Sequence, residues 1–156
     1  MEFVKSFESP DARMGAAGSL LVALYRGSGS VAMLDELNRT QEALLAKHPR
    51  ISTLTVIGQA TSMIRVDEAV RTKSVELGKK FDGKVVGSAI VVTTKGLAAV
   101  IVRTFLSGFF LLSRAETPMK TFASIEEGLI WLRSLPGQDP VIKTEIFTSD
   151  VERFIA

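Results

Sequence analysis

The chain has 156 residues, of which 46% are hydrophobic and 23% charged, and this balance predicts one folded domain rather than a disordered chain. Nineteen basic and 17 acidic residues leave a net charge of +2, which is too small to steer a nucleic acid toward the protein. The absence of cysteine excludes disulfide bonds, cysteine–zinc sites and thiol nucleophiles, and it agrees with a cytoplasmic location. Residues 1–13 lack the apolar core of a secretory signal, so we expect none.

The N-terminal third of the chain predicts three strands and one helix. Phe3–Glu8 alternates between apolar and polar residues and predicts a first strand, which ends at a Ser-Pro-Asp turn. Ser19–Tyr25 predicts a second strand, close enough along the chain to pair antiparallel with the first at a sheet edge. Ser30 can cap a helix that runs to His48, and Ile51–Ile57 predicts a third strand. The inner face of the helix carries Leu34, Leu37, Leu44 and Leu45.

The middle of the chain continues to alternate between helices and strands. A second helix is predicted over about Val66–Phe81, followed by a buried strand at Val85–Thr94 and an apolar helix at Leu97–Leu112. Thr117–Phe122 predicts a short strand. We place it at an edge of the sheet because Pro118 cannot donate a backbone hydrogen bond.

A capping box predicts where the next helix begins. Ser124 and Glu127 can each accept a hydrogen bond from the other's backbone N–H, and apolar residues then recur at helical spacing as far as Leu135. The tail Asp139–Ala156 contains the strand-like segment VIKTEIF, and a last helical turn is predicted from Ser149.

This order of elements predicts an α/β fold: a single domain with a mixed, largely parallel β-sheet and about four crossover helices. The alternation of strands and helices implies right-handed crossovers, and the two N-terminal strands supply the antiparallel edge. We assign residues 1–137 to the domain. Residues 138–156 form a C-terminal tail that packs on the domain or on a partner.

The Leu97–Leu112 helix carries more apolar surface than one core requires. A surface helix needs an apolar stripe about 100° wide, but here apolar residues extend to both flanks of that stripe. The flanks are Ala99, Leu106 and Phe110 on one side and Val100 and Leu111 on the other. A bilayer span needs about 20 apolar residues. Because this helix is shorter and has Arg103 near its middle, we predict that it is buried in protein and that the chain has no transmembrane segment.

Three groups could bury these apolar flanks. The tail is the first, with the apolar residues Val141, Ile142, Ile146, Phe147, Phe154 and Ile155. A second copy of the chain is another, and a lipid or other apolar ligand is the third. We favour the second copy, which predicts a homodimer associated through the Leu97–Leu112 helix.

Patterns typical of catalysis, metal binding and nucleic-acid binding are lacking in the sequence. The single histidine, His48, lies at a helix end, where the helix dipole favours a cation, and no nucleophile elbow accompanies it. The acidic pairs Asp67-Glu68 and Glu126-Glu127 occupy successive helical positions and therefore point in different directions. The turn at 27–29 lacks the rest of a phosphate-binding motif. We predict a protein with no enzymatic activity, no cofactor, no metal and no nucleic-acid partner.

The segment from Phe122 to Leu132 resembles the end of a known family. A phenylalanine, a short cap, paired acids and Trp-Leu are similar to the ending of bacterial STAS-like proteins, within the STAS/anti-sigma-factor-antagonist-like family. The order of elements agrees with that family from about Phe3 to Leu135. The resemblance implies a mixed sheet with helices packed against it. It also implies a non-enzymatic regulatory role through protein–protein interaction.

The same resemblance implies a phosphorylation switch. In the anti-sigma antagonists a serine or threonine at the start of the second helix is phosphorylated, and the corresponding residues here are Thr61 and Ser62. Gln59 and Ala60 stand near the position where the family has an aspartate. Capping of the helix by the two hydroxyl groups is the competing interpretation, and we favour it.

The order of elements is also similar to that of the CRAL-TRIO-type lipid-transfer fold. That fold holds a lipid beneath movable helices, and Leu106, Phe109, Phe110 and Leu111 would supply the pocket walls here. Of the two resemblances we favour the first and predict a STAS-like interaction module. The alternative is a carrier of a lipid or other apolar ligand.

Overall fold

The computed structural model describes residues 1–26, 30–58, 68–93, 96 and 116–156. In these ranges six strands form one sheet: β1 (Val4–Glu8), β2 (Ala12–Ala17), β3 (Leu20–Tyr25), β4 (Ile51–Ile57), β5 (Val85–Val92) and β6 (Met119–Phe122). Five helices accompany them: α1 (Val31–Leu45), α2 (Glu68–Phe81), α3 (Ile125–Ser134), α4 (Pro140–Thr144) and α5 (Thr148–Ile155). Among these five helices, none has the length and apolar character needed to cross a membrane.

The strands lie side by side in the order in which they occur in the chain. β1 and β2 pair antiparallel, as do β2 and β3, whereas β3, β4, β5 and β6 run parallel. α1 connects β3 to β4, and α2 connects β4 to β5. The predicted α/β class and the mixed, largely parallel sheet are therefore confirmed.

The antiparallel edge differs from the prediction, because β1 does not pair with β3. β2, which the sequence did not predict, lies between them and pairs with both, so that Val4 faces Ala16 and Met14 faces Ala23. Its sequence, ARMGAA, has no β-branched or aromatic residue and so gives almost no strand signal. Burial supplies what propensity lacks, since Met14 and Ala12 are fully buried.

The helix starts predicted from capping residues are confirmed. The Met33 N–H donates to Ser30 Oγ over 3.2 Å at the start of α1, and the Glu127 N–H donates to Ser124 Oγ over 3.2 Å at the start of α3. The Glu127 carboxylate accepts from the Ala123 N–H, one residue before the cap. In the predicted capping box the Ser124 N–H would be the donor. β4 has the predicted bounds, and β6 forms the second edge of the described sheet.

Helices cover both faces of the sheet because successive strand residues point to opposite sides. On one face, Leu21 and Ala23 pack with Leu37 and Leu44 of α1, and α2 lies beside α1. On the other face, Val22 belongs to a larger cluster with α3, α4, α5 and the segment between the last two. The fully buried members of that cluster beyond the sheet are Leu129, Leu132, Ile142, Ile146 and Val151.

The C-terminal tail is helical, so the strand predicted at VIKTEIF is wrong. Asp139 caps α4, with the Val141 N–H donating to its Oδ1 over 2.9 Å, and Pro140 occupies the first helical turn. Ile142 and Ile146 are fully buried, whereas Thr144 midway between them is exposed, which is a helical rather than an alternating pattern. The predicted last turn from Ser149 is part of α5, an eight-residue helix.

A buried polar network fastens the tail to the sheet. Ser52 Oγ donates to Gln138 Oε1 over 3.0 Å, and Gln138 Nε2 donates to the Leu132 carbonyl over 2.8 Å. Beside them, Ser19 Oγ donates to Asp139 Oδ2 over 2.6 Å. Ser52 is fully buried and Gln138 nearly so, and their polar side-chain atoms are paired, so this network is a structural joint.

Candidate functional site

The site residues predicted from the sequence lie outside the described residues. They are the switch candidates Thr61 and Ser62 and the flank residues Ala99, Val100, Leu106, Phe110 and Leu111. The pocket-wall candidate Phe109 lies there too. The structure places none of these residues relative to one another. The site that it does describe lies between α1, α2 and the sheet.

The apolar residues of the tail pack against described parts of the domain. Ile142, Ile146 and Val151 belong to the cluster formed with β3, β4, β5 and α3. The ring of Phe154 stacks on that of Phe3, with 5.1 Å between centroids, whereas Phe147 is 55% exposed beside Arg133. Most of the tail's apolar surface is therefore used against α3 and the sheet.

His48 lies three residues beyond α1, which ends at Leu45 and not at His48 as predicted. It is half-buried, and its backbone N–H donates to the Leu44 carbonyl over 2.9 Å, which continues the helical hydrogen bonding. Within the described ranges, no group of three or more histidine, aspartate or glutamate side chains is placed to hold a metal ion.

A cavity of about 260 Å³ lies between α1, α2 and the sheet. Apolar walls come from Leu34 and Leu37 of α1 and from Leu77 and Phe81 of α2. The parallel strands β4 and β5 and residues 117–119 supply the base and one side. The cavity is partly open to solvent, and concave sites with mostly apolar walls of this kind are where small molecules bind in proteins.

Polar side chains of the sheet line the base of this cavity. Thr53 and Ser88 face each other across β4 and β5, and Thr53 Oγ1 donates to Ser88 Oγ over 2.7 Å. Thr55 lies two residues further along the same face of β4. The alternation in TLTV therefore puts the hydroxyl groups of Thr53 and Thr55 on the α1/α2 face and the side chains of Leu54 and Val56 on the other.

Gln41 is the unusual residue of the cavity wall. It is only 6% exposed, yet among the described residues its side-chain amide has no hydrogen-bond partner. It lies four residues after Leu37 and three before Leu44, in the middle of the inner stripe of α1. Gln41 was not among the predicted site residues, although a polar residue at a position where leucine is expected is a signal readable from spacing alone.

Tyr25 lies at the carboxyl end of β3 and also lines the cavity. Burial raises the pKa of its phenol well above its ordinary value, because an ionised phenolate would lose its hydration there. No hydrogen bond to the phenol from a described residue opposes this shift. Tyr25 is therefore a neutral hydroxyl group throughout the physiological pH range.

Asp82 joins the end of α2 to the segment that enters β6. Its carboxylate accepts hydrogen bonds from the Glu116 N–H over 3.1 Å and the Thr117 N–H over 2.9 Å, and from the Thr117 hydroxyl over 3.0 Å. These bonds lower the pKa of Asp82 below its ordinary value because they favour the ionised form. Asp82 thus fixes one rim of the cavity and is already engaged by the protein.

Ion pairs between exposed ends of side chains join α1 to α2 beside the cavity. Lys73 Nζ lies 3.3 Å from Asp35 Oδ1, which explains a lysine on the inner stripe of α2. Lys80 contacts Glu42 and donates to Asn38 Oδ1 over 2.7 Å. The two lysines position α2 against α1, and the described wall of the cavity is left mainly neutral.

Comparison with protein-family models and with curated proteins finds no match. A solved structure does match: an uncharacterised protein of the DUF3478 family from Shewanella loihica PV-4, with a SpoIIAA-like fold. The TM-score is 0.52 at 17% identity, and the match covers 84% of this chain and 94% of that chain. The SpoIIAA-like fold is the STAS fold, so the predicted STAS-like fold is confirmed. At this identity the likeness shows the fold alone.

Proposed function

We propose that the protein is a non-enzymatic regulatory module of the cytoplasm that acts by binding another protein chain. The STAS-type fold, seen in the strand order and in the likeness to a SpoIIAA-like structure, carries this proposal. Fold alone does not specify activity. The proposal therefore also draws on the sequence, which offers no catalytic constellation and carries an apolar surplus in residues 97–112.

The first partner we propose is a second copy of the chain, docked on the flank that contains Leu106 and Phe110. The apolar residues of the tail, which were the competing cover, have their own neighbours in α3 and the sheet. An apolar flank of this kind is typical of a surface that binds a partner. We propose that Phe110 lies at the centre of a homodimer interface.

Sedimentation equilibrium of the wild type and two variants tests the homodimer. We expect a dimeric wild type, a monomeric Phe110→Asp variant, and a dimeric Ser107→Asp variant. Ser107 serves as the control because it belongs to the polar side of the same predicted helix. Circular dichroism spectra of all three should coincide. A wild type that stays monomeric at high protein concentration contradicts the interface.

As the alternative to helix capping by the same hydroxyl groups, we propose Thr61 and Ser62 as the positions of a phosphorylation switch for that interaction. A doubly charged phosphate at either hydroxyl would change the local charge at the start of the second helix. The double variant Thr61→Ala/Ser62→Ala should abolish phosphate incorporation in cells, and intact mass spectrometry measures it. Phosphate retained by that variant contradicts both positions.

One observation favours a ligand-binding function as a second candidate, and that observation is the cavity between α1, α2 and the sheet. Its volume of about 260 Å³ is below the roughly 300–1,000 Å³ of pockets for drug-sized ligands. A lipid would therefore find little room, and a smaller molecule fits better. Native mass spectrometry after gentle purification should reveal a co-purified molecule, and a mass equal to that of the bare chain counts against a tightly held cargo.

A further inference from the structure

We propose that the cavity between α1, α2 and the sheet is a binding site for a small uncharged molecule with an apolar body and a head group that both donates and accepts hydrogen bonds, and that Gln41 receives the head group. This inference rests on the ligand-binding candidate function and not on the proposed dimer. It rests on the burial of Gln41, the neutral polar groups around it and the size of the cavity.

The side chain of Gln41 is buried, and its amide lacks a hydrogen-bond partner among the described residues. An amide that leaves water without gaining a partner destabilises the folded protein. The stability of the fold therefore does not explain a glutamine at this position. Gln138 provides the contrast within the same chain. It is 5% exposed, against 6% for Gln41, but its amide bonds to Ser52, the Leu132 carbonyl and the Asp139 N–H. A buried amide that lacks such partners and faces a cavity is placed to bind something that enters it.

The polar groups around Gln41 define the chemistry of the head group. The Tyr25 hydroxyl and the Thr55 hydroxyl also lack a partner among the described residues, and both line the cavity. Hydroxyl and amide groups both donate and accept, so they complement a carboxamide, a lactam or an alcohol. The charged residues of the described lining are Lys79, which is exposed, and Asp82, whose carboxylate Thr117 and Glu116 already engage. From the described lining, a charged head group would therefore gain no buried counter-charge for the hydration that it loses.

The volume limits the body of the ligand. An apolar cavity of about 150 Å³ accepts benzene, so about 260 Å³ suits a single ring with a short polar substituent. Leu34, Leu37, Leu77 and Phe81 provide the apolar contacts for such a ring. Benzamide has the required ring and a neutral head group that donates and accepts, and we choose it as the probe.

The test compares benzamide with toluene and benzoate on the full chain. Isothermal titration calorimetry should show that benzamide binds the wild type more tightly than either comparison compound, because toluene lacks the head group and benzoate carries a charge. Benzamide should also raise the Tm of the wild type in a concentration-dependent way. No binding of benzamide, or tighter binding of benzoate, overturns the proposed ligand class.

A matched pair of substitutions, Gln41→Met and Gln138→Met, tests the role of Gln41. Gln41→Met keeps the shape of the side chain and removes its amide, so the ligand-free variant should melt about 2–4 °C higher than the wild type. It should bind benzamide about tenfold more weakly. Gln138→Met should melt lower and keep the wild-type affinity for benzamide. Gln41→Leu repeats the measurement with a second apolar side chain.

A lower Tm in both Gln41 variants would show that the amide stabilises the fold, and would overturn its assignment as a receptor. Unchanged affinity for benzamide in those variants would overturn it equally. Neither outcome affects the sedimentation experiment on the proposed homodimer, so the two proposals fail separately.

Discussion

Gly15 lies in β2 at a point where α5 and β1 both approach the backbone. A Cβ atom added there would lie 2.6 Å from Phe154 Cζ and 2.6 Å from the Val4 carbonyl oxygen. The ring of Phe154 can shift, but the carbonyl oxygen is held by the β1–β2 pairing. Glycine is therefore required at this position by a close approach of the backbone.

Gly15→Ala should lower the free energy of unfolding by about 1–3 kcal/mol, because the methyl group overpacks the joint between β1, β2 and α5. Urea denaturation followed by circular dichroism measures the change. Gly78→Ala is the matched control, since an added Cβ meets nothing within 4 Å there. In the interior of α2 this control should gain about 0.5–1 kcal/mol. Equal effects of the two substitutions would refute the crowding at Gly15.

Asp82 makes stability depend on pH in a direction that its hydrogen bonds determine. Its pKa is lowered in the folded protein, so its contribution is present above the ordinary value of 3.8 and is lost as the pH falls through the folded pKa. Asp82→Asn should be less stable than the wild type at neutral pH. The difference between them should shrink as the pH falls below 3.8. Thermal unfolding across that range tests this, and a constant difference speaks against the assignment.

The capping and burial of single residues were predictable where the signal is local. Ser30 and Ser124 are followed by apolar residues at helical spacing, and both caps form as expected. Gln41 was not predicted, because its importance depends on what it faces across a cavity. Spacing within α1 shows a polar residue on the inner stripe, but a missing hydrogen-bond partner is a property of tertiary structure.

At the scale of elements, the difference between β4 and β2 explains what the sequence could predict. β4 consists mainly of β-branched residues and has the predicted bounds. β2 consists mainly of small residues and becomes a strand because β1 and β3 pair with it on both sides. VIKTEIF was misassigned because valine and isoleucine favour strands, whereas Asp139 and Pro140 start a short helix, and both Ile142 within it and Ile146 just after it are buried. Tertiary contacts overrode local propensity in both elements.

Arg133 of α3 holds the segment between α4 and α5. Its guanidinium donates to the Ile142 carbonyl over 3.3 Å and also to the Ile146 carbonyl, and it lies 6.0 Å from the centre of the Phe147 ring. Arg133→Met should therefore raise the hydrogen-exchange rates of α4 and α5 while leaving β3–β5 protected. Mass spectrometry of peptic fragments measures those rates. Arg153→Met, at an exposed position of α5, is the control and should leave them unchanged. Uniform protection in the Arg133 variant contradicts the proposed hold.

At the scale of the whole molecule, the two faces of the sheet have different tasks. The face covered by α3, α4 and α5 is a continuous apolar cluster with a closed polar joint at Ser52 and Gln138. The face covered by α1 and α2 has hydroxyl groups on its strands and a cavity above them. The first face therefore contains the larger apolar core, and the second contains the space in which a ligand could bind. The threonines of β4 can be read from the sequence, but the cavity cannot, since the packing of separate elements forms it.

Each strand after the first pairs with the strand made immediately before it, so the sheet can grow while the chain is still leaving the ribosome. Among the six described strands, none needs a later strand to be inserted between its neighbours, so the loops that close join consecutive strands. α1 and α2 emerge between the strands that they connect, whereas α3, α4 and α5 emerge after the last one. During synthesis, one side of the sheet can thus be covered in step with the strands. The other side stays uncovered until the C-terminal helices are made.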